Sequence, residues 1–151
     1  MNEREPDPLP AAGRLIAVDY GTVRIGLAVC DPDRILASPH SVRPAKDWRR
    51  EAADYVALAK EERAVGWVVG LPIHLDGNES DSSRAARKFA EWLEDQTELP
   101  VKLFDERFTS VEATGRLSGA NLSRGKTKKR LDAVAATILL ESYLESRRRA
   151  E

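Results

Sequence analysis

Short apolar runs broken by turn residues open the chain. Residues 14–19 (RLIAVD) and 24–30 (RIGLAVC) are β-branched-rich and flank Tyr20-Gly21-Thr22-Val23, which predicts a hairpin. A third strand-like run, residues 35–42, follows the Asp31-Pro32-Asp33 turn, so an antiparallel meander is expected. Beyond Asp47, which reads as an N-cap, Trp48, Ala52, Tyr55, Val56 and Ala59 recur at helical spacing. Residues 65–71 then predict a buried strand, and Ala85, Ala86, Phe89, Trp92 and Leu93 mark one face of a second helix. Residues 100–104 predict the last strand. Thr109 and Glu112 have capping-box spacing for a short helix over 110–117. A basic loop, residues 123–130, leads into a long helix running from about 128 to 147. The change from a meander to strand-helix alternation implies a mixed sheet with crossover helices, an α/β fold.

Composition narrows the class. At 151 residues the chain suits one folded unit, expected over 14–146 between an acidic, proline-rich tail (1–13) and a basic tail (147–151). Apolar residues at 42% and charged residues at 32% describe a globular chain, and no apolar run approaches the roughly 20 residues that span a bilayer. The N-terminus lacks the basic start and apolar stretch of a secretory signal. A single cysteine, Cys30, can close no internal disulfide, so a cytoplasmic location and a buried structural thiol are expected. The net charge of −1 argues against a uniformly basic nucleic-acid binder and leaves only local patches, of which residues 123–130 form the densest. His40 and His74 have no paired metal-ligand spacing, and Trp48, Trp67 and Trp92 read as core or boundary residues.

Three acids carry the candidate chemistry. Asp19 lies where the first strand meets its turn, and Asp105-Glu106-Arg107 follows the last strand, both at strand ends where open α/β sheets bind ligands. Asp132 is aligned with Ala136, Leu139 and Tyr143 at i, i+4, i+7 and i+11, so its carboxylate belongs to the inward face of the final helix. Clustered carboxylates repel unless cations neutralise them, and Mg²⁺ or Mn²⁺ are the natural occupants. Such ions activate water against a phosphodiester, which makes phosphoryl hydrolysis the expected reaction. Arg107 and the basic segment with Arg124, Lys126 and Lys128 are the expected phosphate contacts.

Four segments, AVDYGTVRIGLAVCD, VVGLPIHLDGNES, LFDERFTS and KRLDAVAATILLESYL, together resemble the YqgF/RuvX family over residues 14–144. The resemblance implies an RNase H-like fold, a five-stranded mixed sheet of order 3-2-1-4-5 flanked by helices, with Asp19, Glu106 and Asp132 as the catalytic, metal-holding acids. It also implies a nuclease that processes precursor 16S rRNA, with Holliday junction resolution as the alternative and a non-catalytic nucleic-acid-binding module as a third reading. The family's Lys before RIG is Val23 here, so the phosphate contact that the resemblance implies is either absent or moved to Arg24. The implied partner is nucleic acid, structured RNA first and branched DNA second, bound by a monomer or homodimer with no membrane involved. In that strand order Glu106 leaves a strand two positions from that of Asp19, roughly 10 Å away. Glu106 must therefore curl back, or Asp105 or Asp76 must help or replace it.

Overall fold

The computed structural model describes residues 7–72, 80–106 and 124–150. Strands β1 (Arg14–Tyr20), β2 (Arg24–Cys30), β3 (Ala37–Pro44), β4 (Ala64–Leu71) and β5 (Val101–Asp105) form one sheet of order β3-β2-β1-β4-β5. β1 pairs antiparallel with β2 and β2 antiparallel with β3, while β4 and β5 join in parallel through the crossover helices α1 (Ala52–Glu61) and α2 (Asp81–Thr97). A third described helix, α3 (Arg124–Ala150), crosses the opposite face. This is the expected RNase H-like arrangement.

The central strands are apolar on both faces because both are covered. Ile16, Val18, Ile25, Leu27, Trp67 and Val69 face α1 and α2, and there Trp48 packs on Phe89 and Trp92 with ring centroids 5.1 and 4.9 Å apart. The alternate residues Leu15, Ala17, Ala28, Cys30, Val68 and Phe104 face Ala136, Leu139, Leu140 and Tyr143 of α3. Residues on this second face are smaller, which lets a long helix lie close to the sheet. Cys30 is buried there, as expected, and accepts a hydrogen bond from the Leu15 N–H at 3.3 Å.

Several expectations need correction. Ile35 and Leu36 do not start β3 but are 76% and 67% exposed, because the Asp31 carboxylate accepts from the N–H groups of Asp33, Ile35 and Leu36 and winds them into a turn. Those bonds hold the Asp31 carboxyl below its usual range. The Asp47 side chain makes no cap hydrogen bond; the residue adopts φ 55° before a 3-10 turn over Trp48–Glu51, and α1 starts only at Ala52. The basic segment is not a loop from residue 124 onward, since α3 already begins at Arg124. Near the ends of the described chain, Leu9 is buried in the α3-side core, Tyr143 Oη donates to Asp7 at 2.6 Å, and Arg148 donates to the Arg34 carbonyl at 2.7 Å. The short helix expected over 110–117 lies outside the described residues.

The start of α2 is a capping box: Ser80 Oγ accepts from the Ser83 N–H at 3.1 Å, and Ser83 Oγ accepts from the Ser80 N–H at 2.9 Å. Ser80→Ala is expected to lower unfolding free energy by about 1 kcal/mol, read as a shifted urea midpoint at unchanged slope.

Candidate active site

Asp19 is the penultimate residue of β1 and pairs across the sheet with Gly26 of β2. Directly opposed residues share a face, and that face is the one covered by α3. On its other side the parallel register runs Ala17 to Val68 and Val18 to Val69, so one further step sets Asp19 beside Gly70 of β4. The acid thus lies between two glycines, and each admits a different neighbour.

At Gly26 the neighbour is backbone. A Cβ there would fall 1.9 Å from the Asp132 carbonyl oxygen, so α3 rests on the sheet at the turn that carries Asp132. At Gly70 the neighbour is a side chain, because a Cβ would fall 2.6 Å from Glu106 Oε1. Glu106 therefore does curl back: β5 ends at Asp105, the chain turns, and the carboxyl crosses the bare Gly70 position to hydrogen-bond with Asp19. Asp105 follows Phe104, which faces α3, so strand alternation turns it to the opposite side. It is buried, and its charge adds to the rise of the Glu106 carboxyl.

The electrostatics follow from this crowding. Burial raises the Asp19 carboxyl; the hydrogen bond with Glu106 works against that rise, and the Asp132 charge adds to it. Glu106 is pushed up to about 8, by burial first, then by the charge of Asp19 and the hydrogen bond with it. The pair therefore shares one proton at neutral pH. The third acid has a different partner, since Arg24 Nε donates to Asp132 Oδ2 at 2.5 Å, with both side chains about one-third exposed (33% and 29%).

The structure brings together Asp19, Glu106, Asp132 and Arg24. Among the described residues no three His, Cys, Asp or Glu side chains already stand as a metal-binding group. Asp19 and Glu106 are bonded to each other, and Asp132 is engaged by Arg24. The donor set nevertheless suits a hard divalent cation: three carboxylates from separate segments, two of them so close that only a proton or a metal lets them coexist. Arg124, Lys126 and Lys128 occupy the first turns of α3, leading toward Asp132. Arg107, Asp76 and His74 lie outside the described residues. His40 stays away from the acids, with Nε2 3.3 Å from Glu62 and Nδ1 2.8 Å from Ser41 Oγ.

Sequence reasoning did not single out Gly26 and Gly70. A signal was available, because glycine inside an apolar strand marks a close approach of another group. The Arg24–Asp132 contact, across 108 positions of sequence, had none.

Sheet order, crossover helices and the acid beside the central strand's end define the RNase H-like class to which RuvC-type resolvases belong. Thermus thermophilus RuvC, solved in complex with a Holliday junction substrate, superposes with a TM-score of 0.56 at 15% identity, covering 89% of this chain and 96% of that one. The fowlpox virus resolvase, in complex with Holliday junction DNA, gives 0.53 at 14% identity, covering 88% and 97%. Within that class the chain belongs to the RuvX family, whose model, described as "RuvX: Holliday junction resolvase", matches residues 13–146. A relative from Rhodopirellula baltica, named "Putative pre-16S rRNA nuclease", is 58% identical over 140 residues, 93% of this chain and 81% of the relative. A relative of the same name from Koribacter versatilis is 40% identical over 141 residues, 93% and 92% of the two chains.

Proposed function

We propose that this protein is a divalent-metal-dependent nuclease that hydrolyses phosphodiester bonds in structured RNA, with precursor 16S rRNA as its substrate. The observation that carries the reading is the Asp19–Glu106 pair, hydrogen-bonded beside the end of the central strand with Asp132 close enough to add its charge. The names of relatives at 58% and 40% identity, matched over 81% and 92% of their length, support the substrate. Asp19, Glu106 and Asp132 would hold Mg²⁺ or Mn²⁺, which when bound activates the attacking water and stabilises the leaving oxygen. The protein's own part is to hold the three carboxylates on fixed backbone, release the proton shared by Asp19 and Glu106, and offer Arg24, Arg107, Arg124, Lys126 and Lys128 to the phosphates. No helix among the described residues is long and apolar enough to cross a membrane. The unpaired thiol of Cys30 suits work in the cytoplasm, as a monomer or a homodimer.

The test is to incubate wild type and Asp19→Asn with labelled precursor rRNA and, separately, a labelled four-way DNA junction, in Mg²⁺, Mn²⁺ or EDTA. Metal-dependent cutting of the RNA by wild type alone is the expected result. Paired symmetric cuts in the junction would replace this reading with that of a resolvase acting as a dimer. Intact binding without cutting of either substrate would make the protein a non-catalytic module.

Metal binding must also expel the shared proton. Affinity for Mn²⁺ is therefore expected to rise roughly tenfold per pH unit below the Glu106 titration, and to level off above it. Calorimetry in buffers of different ionisation enthalpy should show about one proton released per binding event at pH 7. A flat profile between pH 6 and 8 would contradict the shared proton.

A further inference from the structure

We propose that Arg24 is a displaceable internal cation: in the metal-free protein its guanidinium neutralises Asp132, and a divalent ion entering the site must take that carboxylate from it. The inference rests on the metal-site reading above and concerns what opposes metal entry.

The placement is specific. Arg24 and Gly26 lie two apart on β2 and so share the sheet face that carries α3. Because the Asp132 carbonyl is packed against bare Gly26, the backbone under Asp132 has no room to shift, and exchange of partners is left to the two side chains. The bond itself, at 2.5 Å, occupies Oδ2, one of the two oxygens that Asp132 has to offer a cation. Yet both side chains are about one-third exposed, at 33% and 29%, where an ion pair is screened by water and exchanges readily. A buried pair would exclude the metal, and a fully exposed one would not compete. Once released, Arg24 remains beside the site with its five donors available to a phosphate.

Removing the competitor should strengthen metal binding. Mn²⁺ titrated calorimetrically into Arg24→Gln is expected to bind roughly three- to fivefold more tightly than to wild type. In wild type, addition of Mg²⁺ should shift the Arg24 Nε–H resonance away from its hydrogen-bonded position. Equal or weaker binding by a folded Arg24→Gln, or an unmoved Nε–H resonance at saturating Mg²⁺, would overturn the inference and leave the metal site standing, provided that Asp19→Asn abolishes binding. Binding by Arg24→Gln where wild type binds nothing would support it in its strongest form. No binding by either protein would remove the metal site itself, and the inference with it. The resonance readout needs no substitution, so poor folding of the variant would not shield the proposal.

Discussion

Asp19→Asn is expected to cut metal-dependent cleavage by about 10³-fold while leaving the metal-free protein as stable as wild type or more so. A bound ion contributes several kcal/mol of charge stabilisation at the reacting phosphate, and each 1.36 kcal/mol is tenfold in rate. Stability should move the other way because the two acids oppose each other. The Glu106 carboxyl is raised to about 8, so the folded chain holds a proton that the unfolded chain gives up. Its contribution is fully present below the ordinary carboxylate range and is lost as pH rises toward 8. Asparagine keeps a hydrogen bond to Glu106 by donating its amide to the ionised carboxylate, so the need for the proton disappears. Thermal melts in EDTA from pH 5 to 8.5 should fall with pH for wild type and run flatter for the variant. A variant that still cleaves within tenfold of wild type would remove Asp19 from the chemistry.

Gly26→Ala is the more damaging change to the fold. Its methyl group would fall 1.9 Å from the Asp132 oxygen, 2.3 Å from the Asp132 carbonyl carbon and 3.0 Å from the Ala133 nitrogen, all of them backbone atoms of α3. No rotamer relieves that overlap, and the helix must lift from the sheet along with Ala136, Leu139 and Leu140. A loss of about 3 kcal/mol or more is expected, which for a domain of this size lowers the melting temperature by roughly 10 °C. Cleavage should fall as well, because Asp132 rides on the displaced turn. Gly66→Ala is the control: its methyl would meet the far end of Leu9, Cδ2 at 2.7 Å, a side chain able to move, and its nearest backbone neighbour, the Pro100 oxygen, is 3.2 Å away against 1.9 Å at Gly26. Equal stability of the Gly26 and Gly66 variants would mean that α3 is not seated on Gly26.

What could be read from the sequence was what repeats locally. Short β-branched apolar runs around a turn announced β1 and β2, the 3.6-residue period announced α2, and Asp132 stood out because it shares a row with Ala136, Leu139 and Tyr143, all of which are buried. The misreadings arose where one long-range or side-chain contact outweighed local propensity. Ile35 and Leu36 look like strand residues, but a single carboxylate captures their N–H groups. Arg124 to Arg130 look like a solvated loop because like charges and a glycine disfavour a helix start, yet the helix runs through them. The reach of Glu106 across a neighbouring strand depended on the missing side chain at Gly70, a fact about the sheet's pairing and not about the DER triplet itself.

The division of the core between the two faces of the sheet has a consequence for spectroscopy. Trp48, Trp67 and Trp92, all the tryptophans of the chain, pack on the α1–α2 side, whereas the described rings facing α3 are Phe104 and Tyr143. Intrinsic emission therefore watches one side of the sheet and is blind to the side that holds the acids. Unravelling of α3 alone would reduce far-UV ellipticity and leave the emission maximum in place, so the two signals part company whenever the acid-bearing side opens first.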